Sequence, residues 1–386
     1  MGIVRDILTW LSSYWHPRLI QIETPSYRGR NLDHLPTELV YMIAGNLTSC
    51  DRVCLALCNN RLLSVLGNGP QLALENEFRA IFLTRLSQDL PEHIYCHVCS
   101  ALHRRRHIQP PGPAFWPSRC LANHKGLFNP WSFPFSIPWS SLYRFEHIHL
   151  QLAMKRHHCG PKHGVSTDSL AYVEIQLLRN SITTLVSFDV QIVRASSLCL
   201  RIQTWMLAKK LPSKLVEEKW ICAHISMGDH DIFEIVRAAW DAAMESSPGR
   251  RPVLDTYRCV ACGLDYQIDA TTCGTAGIAL IVTKWLDLGP GLDPTDVRWT
   301  RHLIGSLSLR KHEMTTFNSD VRSQFERETV VPLDDLTGRN RSLLENRGYV
   351  RKTDWWYNGC WILQANKRLP WLYPRPEKPI CHICKT

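Results

Sequence analysis

The sequence predicts an α+β protein: an N-terminal helical block followed by a mixed domain in which helices flank an antiparallel sheet. Three patterns predict it. Residues 35–66 repeat apolar side chains at helical spacing, 181–193 and 198–207 alternate apolar with polar residues as half-buried strands do, and 231–244 returns to an amphipathic helical period before strand-like stretches at 265–268 and 278–285. The 386 residues suffice for two or three domains, and 45% hydrophobic with 21% charged residues, 14 Trp among them, is the composition of a folded chain. No segment repeats at a fixed period, which sets aside solenoids and propellers.

Taken in order, the chain divides into an N-terminal helix and linker at 1–30, a helical block at 31–70, a Cys/His and Pro/aromatic-rich segment at 71–140, an α+β domain at 141–310, and an extension ending in Cys381-x-x-Cys384 at 311–386. Ile3, Ile7, Leu8, Leu11, Trp15 and Leu19 suit a short amphipathic helix better than a signal peptide. Pro25 to Asn31 reads as a linker, Gly67-Asn68-Gly69-Pro70 stops the helical block, 72–86 offers another helix, and 110–138 is an irregular stretch rich in Pro, Trp and Phe. Overlapping that stretch, 115–139 suits core or lid packing or a client groove. Residues 142–158 again carry helical spacing. No apolar run approaches the roughly 18 residues of a membrane span, and Asp6 stands where a myristoylation signal wants Ser or Thr, so no membrane association is expected.

In Leu35-Pro36-Thr37-Glu38-Leu39-Val40-Tyr41-Met42-Ile43-Ala44-Gly45-Asn46-Leu47, the residues Leu39, Ile43 and Leu47 recur every four positions on one helical face. Pro36 is tolerated at a helix start, and Glu38 lies where the helix dipole favours negative charge. Ser49 or Asp51 can cap a second helix, in which Val53, Leu57 and Arg61 alternate with a stripe of Cys54, Leu55, Cys58 and Leu62. Helices this short cannot bury all of these side chains among themselves, so part of the surface must meet later residues or a partner.

Leu-Pro-x-Glu-Leu, Ile43, Leu47, Asp51 and the run Leu55-Ala56-Leu57-Cys58 with Arg61-Leu62 together resemble an F-box. Tyr95-Cys96-His97-Val98-Cys99, Cys120, Met154 to His157, Gly160 to Gly164, 259–269 and 283–289 are similar to segments of a group of filamentous-fungal F-box proteins, over about residues 30 to 300. The resemblance implies that Leu35, Pro36, Leu39, Ile43 and Leu47 contact a small Skp-type adaptor, with Leu55 and Cys58 divided between contact and internal packing. The adaptor would link the chain to a cullin scaffold and a RING subunit. The remainder would recognise a protein client that the resemblance does not identify.

Fifteen Cys in a chain without a secretory signal read as reduced thiols, some holding metal, and point to the cytoplasm or nucleus. Cys96-x-x-Cys99 with Cys120 and His124 presents three thiolates and an imidazole, a set zinc binds tetrahedrally; His103 or His107 can replace His124, and buried thiols packed beside an aromatic loop are the alternative. A second set joins Cys222-x-His224 to Cys259-x-x-Cys262, with Cys381 and Cys384 as substitutes for the first pair. Either set is closed, with four protein ligands, and therefore structural. Asn46-Leu47-Thr48 and Asn340-Arg341-Ser342 match the glycosylation pattern by chance in a chain that is not exported.

No Gly-rich phosphate loop, nucleophile elbow or paired-His protease motif occurs, so a binding protein is expected in preference to an enzyme. Asp265, Asp269, Asp287, Asp293 and Asp296 form a loose series that suits turns and caps. The net charge is +10, and its one dense cluster, His103-Arg104-Arg105-Arg106-His107, suits a solvated face. The alternative function is a zinc-stapled nucleic-acid-binding protein using Arg104 to Arg106 with neighbouring aromatics.

Overall fold

The computed structural model describes residues 32–67, 74–97, 99–108, 111, 145–177, 182–193, 196–217, 219–245, 255–302, 320–345, 355–357 and 360–364. The expected N-terminal helix, the linker at 25–31, the aromatic stretch at 115–139, Cys120, His124, Cys381 and Cys384 lie outside these residues. Helices and antiparallel strands are mixed, as an α+β chain requires, and the chain separates into two compact units, 1–102 and 103–386. No helix among the described residues is long and apolar enough to cross a membrane.

The first unit is built on α1 (Thr37–Gly45), α2 (Ser49–Leu57), α3 (Asn60–Leu66) and α4 (Asn76–Asp89). Pro36 stands at the N-cap of α1, where its missing N–H costs nothing. The second helix is capped by Thr48 and not by Ser49 or Asp51 as expected: its hydroxyl accepts from the Asp51 amide and donates to the Asp51 carboxylate at 2.6 Å. The stripe expected to run on to Leu62 is broken after Leu57, because Asn59 turns out of the helix and accepts from the Leu62 amide at 2.7 Å, capping a third helix. The inward face of α2 is therefore Cys50, Val53 and Ala56, packed with Val40, Ala44, Leu62, Leu66, Phe82 and Leu83. A hairpin of β1 (His93–Cys96) and β2 (Ala101–Arg104) follows α4.

The second unit is organised by an eight-stranded antiparallel sheet of β3 (Tyr172–Leu177), β4 (Thr183–Val193), β5 (Ser197–Ala208), β8 (Tyr257–Arg258), β9 (Asp265–Thr272), β10 (Ile278–Asp287), β11 (Trp355–Tyr357) and β12 (Cys360–Gln364). Its spatial order is β11-β12-β3-β4-β5-β10-β9-β8, and the small hairpin of β6 (Trp220–Cys222) and β7 (Ile225–Ser226) stands apart. Gly277, at φ 122°, makes the turn into β10 where a Cβ would strike the Ala208 carbonyl.

The alternation in 181–193 and 198–207 suggested strands open to water on one face, yet β5 is buried on both. The reason is that helices cover each side. α7 (His230–Glu245) packs on β9 and β10 through Val236, Ala239 and Trp240, on the face where Tyr266, Ile268 and Ala270 are buried. α5 (His147–Cys159) packs on β5, and the short α6 (Ser213–Glu217) follows that strand in sequence. The opposite face is closed by α9 (Val321–Glu328) and α10 (Leu333–Glu345), which come from the stretch read as an extension, while β12 pairs with β3.

That second face keeps polar side chains in its middle. Phe325 and Val321 pack with Cys199 and Trp285 at one end, and Leu344 packs with Trp205, Leu207 and Ile281 at the other. Between them Gln203 donates to Thr283 and Thr337, and its carbonyl oxygen accepts from Trp205 and from Asn340, which also donates to Ser187 at 2.9 Å. Asn340, the second of the glycosylation-pattern asparagines, is thus a core residue. Arg201 donates to Glu326 at 2.9 Å, to Asp189 at 3.2 Å and to the Val331 carbonyl at 2.8 Å. Of the acidic series, Asp296 caps α8 (Val297–Thr300), and Asp287 and Asp293 accept turn amides from Gly289 and Thr295.

Arg201→Met would leave two partly shielded carboxylates facing apolar surface. A loss of about 3 kcal/mol of unfolding free energy is expected by chemical denaturation, near the low end for a broken buried pair because both carboxylates keep some water.

Candidate functional site

Among the described residues, two places stand out. The first is a group of ligating side chains in the second unit, built from two hairpin turns. β6 ends at Cys222, and the turn to β7 brings His224 back towards it, with the His224 amide donating to the Cys222 sulfur at 3.4 Å and the imidazole Nδ1 4.0 Å from that sulfur. β8 and β9 are joined by Cys259-Val260-Ala261-Cys262-Gly263-Leu264. There Gly263 donates to the Cys259 carbonyl at 2.7 Å and Cys259 donates to the Leu264 carbonyl at 2.9 Å, closing the loop. Gly263, at φ 66°, turns the chain back beneath the sulfurs in a conformation L side chains avoid.

The ligand atoms of Cys222, His224, Cys259 and Cys262 all lie within 4.8 Å of one another. A tetrahedral zinc with sulfur bonds near 2.3 Å and a nitrogen bond near 2.0 Å has edges of roughly 3.5–3.8 Å, so no pair need draw in by more than about an ångström. The three sulfurs are buried and His224 lies on the more open side. The expected pairing of Cys222-x-His224 with Cys259-x-x-Cys262 is therefore present in space, while its Cys381 and Cys384 variant lies outside the described residues.

Crowding shapes the acid–base behaviour of the group. Hydrogen bonds from Cys222 and Cys262 pull the Cys259 thiol far down, and bonds to Cys222 and Cys259 push Cys262 far up. The same Cys222 and Cys259 sulfurs push the His224 imidazole up to about 10. The four donors are thus close enough that the protonation of each depends on the others.

Basic groups lie around the cluster. Lys284, in the middle of β10, is buried and donates to the carbonyl of Ile221 at 2.8 Å, immediately before Cys222. Burial pushes its ammonium down to about 8, against the pull of the Cys222 and Cys262 sulfurs. Arg301 is buried against Gly263, its Nη1 lying 3.1 Å from where a Cβ would stand, and His302 is held down at about 3 by burial and by Arg301. The sequence reading missed Lys284, since a single Lys in a strand pattern carries no sign that both faces are covered.

Of the other expected ligand set, Cys96 and Cys99 sit on the β1–β2 hairpin, where the ligand atoms of Cys96, Cys99 and His103 lie within 4.8 Å of one another. In the basic run, Arg105 is engaged by the Gly164 carbonyl at 2.7 Å.

The second place is the outward side of α1. Val40 and Ala44 face the core of the first unit, whereas Leu39, Met42 and Ile43 are 41%, 65% and 40% exposed. Pro36 and Cys58 are also exposed, and Leu35, Leu47 and Leu55 are half-buried, so none of the seven expected contact residues is enclosed. Arg61, unassigned from sequence, donates to the Leu35 carbonyl at 2.5 Å and so fixes the approach to α1 from α3. Arg52 does the same at the far end, donating to the Ala44 carbonyl at 2.9 Å.

No family model, no curated protein and no solved structure matches this chain.

Gly263→Ala tests whether the loop geometry is intrinsic. A left-handed L residue costs about 1–2 kcal/mol, and that much loss of stability is expected in thermal or denaturant unfolding.

Proposed function

We propose that this protein is the client-recognition subunit of an SCF-type cullin-RING ubiquitin ligase, docking on a Skp-type adaptor through α1 and its neighbours and holding a protein client with the rest of the chain. The observation that carries the proposal is the ridge of Leu39, Met42 and Ile43 left outside a helical unit whose core is already filled by Val40 and Ala44. Adjacent apolar side chains at i, i+3 and i+4 seldom remain in water on a monomer, and covering each fully is worth about 1.5–3 kcal/mol. The F-box-like residues fall on this ridge and around it. Its chemistry would be proximity: the adaptor complex raises the client's effective concentration near the ubiquitin-charged enzyme, and this chain supplies no covalent step.

Leu39→Asp should abolish co-purification of the adaptor while the far-UV spectrum and melting temperature stay near wild type, since exposed substitutions shift stability by only about 0.5 kcal/mol. Val40→Asp, two per cent exposed, should instead unfold the helical unit. Undiminished adaptor recovery with Leu39→Asp would remove the docking assignment.

We further propose that Cys222, His224, Cys259 and Cys262 hold a structural zinc that staples the β6–β7 hairpin to the β8–β9 loop. The donor set is soft, closed and buried on its sulfur side, which favours zinc and leaves no open position for water chemistry. Its binding free energy would become folding free energy for the short β6–β7 hairpin and the loop between β8 and β9. Metal analysis of the reduced full chain should fall by one zinc per chain in a Cys259→Ser, Cys262→Ser variant, with a lowered melting temperature. Equal zinc content in both proteins would overturn the assignment.

A further inference from the structure

We infer that Cys96, Cys99 and His103 form a second zinc site, on the β1–β2 hairpin and separate from the centre proposed at Cys222. Their ligand atoms lie within 4.8 Å of one another, so a tetrahedral ion asks no more contraction of them than at that centre. β2 runs unbroken from Ala101 to Arg104, so all three donors belong to one hairpin.

The strand period brings the donors together. Tyr95 and Leu102 pack into the helical core, and side chains alternate along each strand, so the residues that follow them, Cys96 and His103, turn to the other face. Cys99 stands in the turn between the strands. Ser100, next in the chain, takes φ 49°, a left-handed conformation that costs a residue other than Gly about 1–2 kcal/mol. The same feature occurs at the other centre, where Cys259-x-x-Cys262 is followed by Gly263 at φ 66°. Two Cys-x-x-Cys turns of one chain thus fold back with the same hand after their second sulfur, and each meets an imidazole.

A redox Cys-x-x-Cys commonly opens a helix, whose N-terminus stabilises the thiolate, whereas Cys96 and Cys99 are joined by a turn between strands. Packing of thiols gives no account of His103. Its Nε2 is buried and makes no hydrogen bond within the protein, and an unanswered polar atom costs about 1–3 kcal/mol. Ligation through that nitrogen offsets the cost, and two soft sulfurs with an imidazole suit zinc. Of the two histidines that the sequence offered in place of His124, His103 is the one at the sulfurs, while His107 is exposed. Three protein donors leave a tetrahedral ion one position for a further ligand. The ion would lock a hairpin whose opposite face carries Tyr95 and Leu102 into the helical core, so its binding would stabilise that core.

The test measures bound metal and thiolate-to-cobalt absorption in the reduced full chain after loading with Zn2+ or Co2+ and removal of free ion. Wild type should hold one equivalent more than a Cys96→Ser, Cys99→Ser variant. His103→Ala, which leaves both sulfurs in place, should lose that equivalent to a chelator at concentrations wild type withstands, and His103→Cys, which restores a ligand, should keep it. The two His103 variants decide the matter should the double-serine variant fail to fold. Equal metal in wild type and the double-serine variant, or equal retention by the Ala and Cys variants, would remove the site. Metal lost only on replacing Cys259 and Cys262 would refute this site and leave the first centre standing, whereas metal lost only on replacing Cys96 and Cys99 would do the reverse.

Discussion

The constraint on which the larger unit depends is that its central strands are covered on both faces. β5 crosses the middle of the sheet with β10 beside it, and helices pack above and below them. Every polar group those strands carry must then be answered inside the protein, because water cannot reach it. Arg201 and Gln203 on one face are answered by Glu326, Asp189, Thr337 and Asn340. This is why residues 320–345 belong to the fold: α9 and α10 bring the acceptors and donors that make the second face habitable. A purely apolar face would have packed these helices as tightly, but with less to specify their position.

Much of this was legible in the sequence. The strands expected at 181–193 and 198–207 fall within two residues of those observed at Thr183–Val193 and Ser197–Ala208. The ligand pairs at 222–224 and 259–262 were legible because short Cys and His spacings force two donors onto one turn, leaving only the meeting of two turns to tertiary structure. Burial on the second face was not legible, because alternation reads the same whether polar residues face water or a partner helix. The break after Leu57 was hidden for a similar reason. The apolar stripe continues in register to Leu62, and only the local competition of Asn59 for the Leu62 amide ends the helix.

The seven residues expected to contact an adaptor show how little periodicity alone decides. Leu39, Val40, Ile43 and Ala44 are all apolar, and either adjacent pair of helix faces could have turned inward. Size decides between them: Val40 and Ala44 are the smaller residues and let α1 approach the other helices closely, whereas Leu39, Met42 and Ile43 project outward. Arg61 and Arg52, by holding the Leu35 and Ala44 carbonyls, fix both ends of α1 from beneath and keep that choice from slipping. The outer ridge is therefore held in place from two sides, which would lower the entropy lost on binding the proposed adaptor.

The two units differ in what the proposed partner of each would supply. In the helical unit the side chains left outside the core are apolar, so an adaptor surface covering Leu39, Met42 and Ile43 would contribute by removing them from water. In the sheet unit the gathered side chains are thiols and an imidazole, with the three sulfurs buried. A small thiophilic dication would there contribute by binding the sulfurs as thiolates, and the free energy of that binding would hold the β6–β7 hairpin to the β8–β9 loop. Burial of apolar surface would thus serve assembly in one unit, and metal ligation would serve folding in the other.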